Sequence, residues 1–125
     1  MSLDFIDRAD FLKGVYGAIP SFSEIVLHDI VLSDNGPSVA LRFDLANFPS
    51  NPPKKWEEFN TVQVTLDLTG LRSISISKFG LNNRCSLKLV KDEDGVSLQS
   101  FGEVELSAIG DFIAVAKISA YLNDV

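Results

Sequence analysis

The side chains that could do chemistry are few. The chain has one histidine, His28, and one cysteine, Cys85. A nucleophilic hydrolase routes its proton transfer through a residue such as His28 and needs a serine or cysteine nucleophile beside it. The sequence contains no glycine-flanked nucleophile turn. Cys85 alternates in step with Leu87 and Leu89, a setting in which a free thiol acts as a small core hydrophobe. One histidine and one cysteine also fall short of a structural zinc set. The run Asp92-Glu93-Asp94-Gly95 has the composition of a calcium loop. Setting Gly95 at the invariant loop glycine puts Val90 and Phe101 at the first and last ligand positions, where acids are required. The run therefore reads as a polar hairpin turn. Glu103 and Glu105 share one strand face, but acid–base work on a glycoside needs one carboxyl desolvated, which an outward face does not provide. No phosphate-cradling glycine pattern is present. These residues predict no catalytic, metal or cofactor site, and a protein that acts by binding.

The elements that must position these residues are mostly strands. Phe5, Ala9, Leu12 and Tyr16 recur at the spacing of one helix face, with Ile6 beside them. Ser2 is placed to cap this helix, and Asp4 and Asp7 suit the positive end of its dipole. Gly14, Gly17 and Pro20 stop it. The pattern predicts a short helix over about residues 3–13, extendable by a turn to Tyr16.

From Glu24 onward the period is two. Val39, Leu41, Phe43 and Leu45 alternate with Ala40, Arg42 and Asp44, and Val62 to Leu68 alternate with Thr61 to Asp67. Ile74 with Ile76, Cys85 to Leu89, Val96 with Leu98, and Val104 with Leu106 continue the pattern. The segment from Phe112 to Tyr121 is apolar on both faces, which predicts a central strand or one covered by the helix. Asp34-Asn35-Gly36-Pro37 and Asp92-Glu93-Asp94-Gly95 supply hairpin turns, since Asn-Gly tolerates the positive φ that tight turns need. Strands arrive about every 8–12 residues, the rhythm of an antiparallel sandwich or curled sheet. We expect a mainly β (α+β) domain over residues 1–125, with about 7–9 strands and one short N-terminal helix. The irregular stretch from Asn47 to Asn60, with Pro49, Pro52 and Pro53, is a long loop. Trp56 in that loop either anchors a partner or folds back as a lid on the core, and burial of so large a ring favours the lid.

Composition narrows the partners. The chain has 125 residues, of which 46% are hydrophobic and 22% charged, a globular balance. No apolar run approaches the length needed to span a bilayer, and the acidic N-terminal stretch is unlike a secretory signal. Cytoplasmic residence is the expectation. The net charge of −6 argues against nucleic acid as the main ligand. Residues 1–53 carry 3 basic and 7 acidic groups, residues 54–91 carry 7 and 3, and residues 92–125 carry 1 and 7. Such asymmetry can steer a charged partner.

Several segments occur in a telling order: a short helix ending near Tyr16-Gly17, His28, DNGP, VALRFDL at 39–45, FPSNPPKKW at 48–56, TVQVTLDLTGLR at 61–72 and ISAY at 118–121. Together they resemble the immunity protein 50 family of bacterial polymorphic toxin systems, over nearly the whole chain. The resemblance implies a protein encoded beside a secreted toxin, which it binds and neutralises, without enzymatic activity. It carries no contact residues with it. From charge alone we expect Asp44, Asp67, Glu103 and Glu105 to form part of an outward, partner-facing surface, with Trp56 as a rim anchor. Two other readings compete. A small-molecule-binding β-domain would show a deep apolar pocket with convergent polar groups, including His28. An oligomer-forming domain would close a homodimer through Phe48, Phe59 or Phe79.

Overall fold

A computed structural model describes residues 3–123. The elements are α1 (Asp10–Tyr16), β1 (Ile25–Ser33), β2 (Ser38–Asp44), β3 (Thr61–Thr69), β4 (Ser73–Ser77), β5 (Arg84–Asp92), β6 (Gly95–Gly102), β7 (Glu105–Gly110) and β8 (Phe112–Tyr121). All eight strands join one antiparallel sheet in the order β4-β7-β6-β5-β1-β2-β3-β8. Alternation fixes the register. In β2 and β3 the apolar members Val39, Leu41, Phe43, Val62, Val64, Leu66 and Leu68 are buried, while the residues between them, Asp44 excepted, remain partly exposed.

The sheet curls on itself. Val96, Leu98, Leu106 and Ala108 from β6 and β7 share one apolar cluster with Val39, Leu41, Leu66 and Leu68 from β2 and β3. The pair that ends the ladder at one side, β3 with β8, runs on through short turns into the pair that ends it at the other, β4 with β7. Asp111 donates its N–H to Thr69 O at 2.8 Å, and Arg72 donates to Ile109 O at 2.8 Å. Of the two architectures expected, sandwich or curled sheet, the curled sheet is the one formed. Both expected hairpin turns are present, at 34–37 and at Asp92–Gly95.

Three expectations need correction. The helix begins at Asp10, not near residue 3, and runs to Tyr16. Arg8 is left-handed with φ 59°, which interrupts any helix entering from Phe5. The backbone of Asp7 is instead bonded to β8: its N–H donates to Ile113 O at 3.0 Å, and Val115 N–H donates to its carbonyl at 2.9 Å. Ala9, not a capping residue, stands at the N-cap, and Gly17 closes the helix with φ 85°. Ser2 lies outside the described residues. Finally, β8 is an edge strand of the ladder rather than a central one. The segment at Asp7, not the helix, covers part of its free side.

The proline loop folds as a lid. Lys54–Trp56 form a 3-10 turn that tucks the indole inside, where Trp56 is only 5% exposed. Its ring meets Phe11 of α1 edge-on, with centroids 5.7 Å apart. No helix among the described residues is long and apolar enough to cross a membrane.

Candidate functional site

A bulge in β1 starts the site. The register steps from Leu27 opposite Phe43 to Asp29 opposite Arg42, so His28 is the extra residue. The bulge re-aims its ring toward Asp44 at the end of β2, and Nε2 lies 2.7 Å from Asp44 Oδ2. Tyr121 of β8 donates its hydroxyl to the same oxygen. Gln63 of β3 donates its amide N–H to Asp44 Oδ1 at 3.1 Å. The Gln63 carbonyl in turn accepts from Arg42 Nη1 at 3.2 Å. Arg42 closes the row by donating Nε and Nη2 to Asp29 Oδ2 at 3.0 and 2.7 Å. A connected polar row thus crosses β1, β2, β3 and β8 on the face opposite the core.

The electrostatics follow from this wiring. Asp44 is 5% exposed, and three side chains point at its carboxylate. Burial and then the bond to Asp44 push the Tyr121 hydroxyl up to about 12, so it remains a donor at neutral pH. The bond to Asp29 raises Arg42 further above its ordinary value. A histidine–carboxylate pair is half of a proton-transfer device. Here no serine, threonine or cysteine among the described residues hydrogen-bonds the ring. Cys85 sits elsewhere, across from Ile25, where burial pushes its thiol up to about 11. It therefore has no thiolate character at neutral pH. No group of three or more His, Cys, Asp or Glu is placed to hold a metal among the described residues.

The residues singled out by charge do not form one patch. Asp44, expected outward, is buried under its three partners. Trp56, expected as a rim anchor or a lid, is the lid. Asp67 lies on the outer face of β3, between Ala40 of β2 and Ala114 of β8. Glu105 opens β7 beside β4, where it accepts from Ser77 Oγ at 3.3 Å and faces Lys78 Nζ at 3.7 Å. Glu103 is exposed in the preceding turn, its N–H donating to Arg84 O at 3.0 Å. Glu105 is opposite Ser77 at the far end of β4 and Asp67 is opposite Ala114 of β8, which separates the two glutamates from Asp67 along the strands. The polar row itself went unread as a unit. Its signal was available: VALRFDL, TVQVTLDL and ISAY contain Arg42, Asp44, Gln63 and Tyr121.

Beside the row lies an open cleft of about 310 Å³, lined by His28, Asp29, Ile30, Ile76 and Phe79. A larger hollow of about 550 Å³ lies away from it, between the N-terminal segment and β5 near Leu3, Phe22 and Leu87.

These features define a mainly β protein in which the ionisable groups on this face hold one another. The chain belongs to the family described as Immunity protein 50, which matches residues 9–121. Comparisons with curated proteins and with solved structures give no match.

Proposed function

We propose that this protein binds a cognate toxin protein and neutralises it by direct contact, inside the cell that makes both. The observation that carries the reading is the family match over residues 9–121. The geometry supports it, because the Asp44 row is a bracing network that needs no substrate to satisfy its carboxylate. Asp44 and Trp56 then serve by holding shape. Asp67, Glu103 and Glu105 remain available at the surface, Asp67 on β3 and the two glutamates at the start of β7. The net charge of −6 suits a basic partner, such as an enzyme that acts on nucleic acid. No catalytic step is required of the immunity protein.

The test uses the toxin domain encoded by the neighbouring gene. Co-expression with this protein is expected to restore growth, and the purified pair is expected to associate. Reversing the charge of Glu103 and Glu105 together is expected to slow association about tenfold at low salt and to flatten its salt dependence. Unchanged association kinetics would remove those two glutamates from the interface. A toxin that still kills in the presence of the wild-type protein, and does not bind it, would remove the reading itself. A small-molecule-binding role has one observation in its favour, the position of His28 on the open cleft. Growth rescue that persists in a His28→Ala variant would count against it.

A further inference from the structure

The curled sheet does not close. β1 pairs with β2 along its length, but its other side meets β5 only at Ile25 and Val26. One more backbone bond, from Leu27 N–H to Asn83 O at 3.0 Å, ends that contact. From Asp29 to Ser33 that side of β1 has no backbone partner among the described residues. β4 is the other terminus of the ladder and, among the described residues, pairs only with β7. These two open edges face one cleft, because Ile30 of β1 and Ile76 of β4 both line it. They run in opposite directions. β4 starts beside the β1–β2 turn, where Leu71 N–H donates to Pro37 O at 2.9 Å, and it ends near Phe79 and His28.

The core face of the sheet runs out into this gap uncovered. Leu32 is opposite Val39, yet Leu32 is 55% exposed and Val39 0%. Ile76 is opposite Leu106, yet Ile76 is 43% exposed and Leu106 3%. Neighbours on one face should share one environment. Here burial falls away along the open stretch of each edge, although Ile30 and Ile74 still pack in part against the core. Phe79 stands at the mouth, half exposed, carried there by Lys78 in a left-handed conformation with φ 60°. That geometry is costly for a residue with a Cβ. β4 reads Ser-Ile-Ser-Ile-Ser, with no charge, proline or bulge to discourage pairing.

Taking a protein partner from the proposed function, we infer that the gap between β1 and β4 receives an extended segment of that partner, with apolar side chains at alternate positions. About five residues, roughly 17 Å of extended chain, match both edges. The inserted strand runs parallel to one edge and antiparallel to the other. Its backbone bonds the open edges, and its inward side chains cover Leu32, Ile76 and Phe79. A second copy of this chain fits less well. Pairing β1 with β1 across a dimer would cover one edge and leave Ile76 and Phe79 bare.

The test selects a displayed library of random peptides on the wild-type protein, then repeats binding with Leu32→Lys and Ile76→Lys. Both sites are exposed, so both variants should fold, and lysine on an edge opposes strand addition. Expected are peptides apolar at every second position. They should slow amide exchange at residues 29–33 and 73–77 and bind each variant about tenfold more weakly. A selection that enriches no such peptide, or peptides that protect other strands, overturns the inference; the exchange measurement on wild type decides the case even if a variant misfolds. A homodimer that sedimentation shows to dissociate in both variants also overturns it, since a second copy would then fill the gap. The neighbouring toxin domain separates the two readings. If it binds wild type and variants equally and leaves 29–33 and 73–77 unprotected, the gap fails and the immunity role stands. If peptides fill the gap but the toxin does not bind, the immunity role fails and the gap stands.

Discussion

Asp44 is outward by period and buried by company. Alternation places it opposite Phe43, away from the core, and that part is legible from VALRFDL alone. Burial on this face comes from the side chains of His28, Gln63 and Tyr121, which arrive from three other strands. Sequence spacing does not reveal which polar residues will be neighbours across a sheet whose order is unknown, so an exposed carboxylate was the natural reading. The His28 bulge was hidden for the same reason, since an extra residue is defined only against its partner strand. Removing the acceptor should expose the dependence. Asp44→Ala leaves three donors without their shared carboxylate and should cost about 2–3 kcal/mol in urea unfolding, whereas Tyr121→Phe removes one donor and should cost about 1 kcal/mol. The two should be non-additive, because the second loss matters only while the carboxylate is there. A cost for Asp44→Ala no larger than that of an exposed surface substitution would show the row to be ornamental.

At the scale of elements, eight strands and two hairpin turns followed from period and turn residues, because those signals are local. The helix followed only in part. Its apolar spacing from Phe5 is real, and Ile6, Ala9 and Leu12 are all buried. Phe5 and Ile6 nevertheless lie in a turn and a bend that lead into the bridge at Asp7, because β8 takes the Asp7 backbone groups as partners. The apolar character of β8 pointed to a central strand or one covered by the helix, yet β8 ends the ladder and the Asp7 segment bonds its free side. The Trp56 lid was legible from size alone: a lone tryptophan in a proline-rich loop gains most by folding back. The lid and α1 should therefore stabilise each other. Trp56→Ala should cost about 3–5 kcal/mol, as for other buried aromatic truncations. It should also speed amide exchange in α1, which has lost the edge-on contact to Phe11. Protection of α1 unchanged by that variant would mean the helix does not depend on the lid.

For the whole molecule the decisive feature is how tightly the curl draws the two halves of the sheet together. Sheet order was not readable, because pairing such as β5 with β1 joins segments whose sequences do not mark one another. The gap between β1 and β4 was invisible for that reason, although Ile76 and Leu32 were visible as apolar residues. One place where the halves press together is Gly110. A Cβ there would lie 2.8 Å from Leu68 Cγ and 2.9 Å from Thr69 O, one of them backbone that cannot swing aside. Glycine is used at this point for closeness of approach between β7 and the end of β3. Gly110→Ala should force those ends apart and destabilise the fold by about 1–3 kcal/mol, as overpacking does elsewhere. The consequence should reach the open edges. Arg72 is bonded beside Gly110, to Ile109 O, and leads directly into β4. Shifting that junction should speed amide exchange across residues 73–77 while leaving the β1–β2 hairpin protected. Equal loss of protection in both strands would mean that the curl unfolds as one unit and that β4 has no separate freedom to admit a partner.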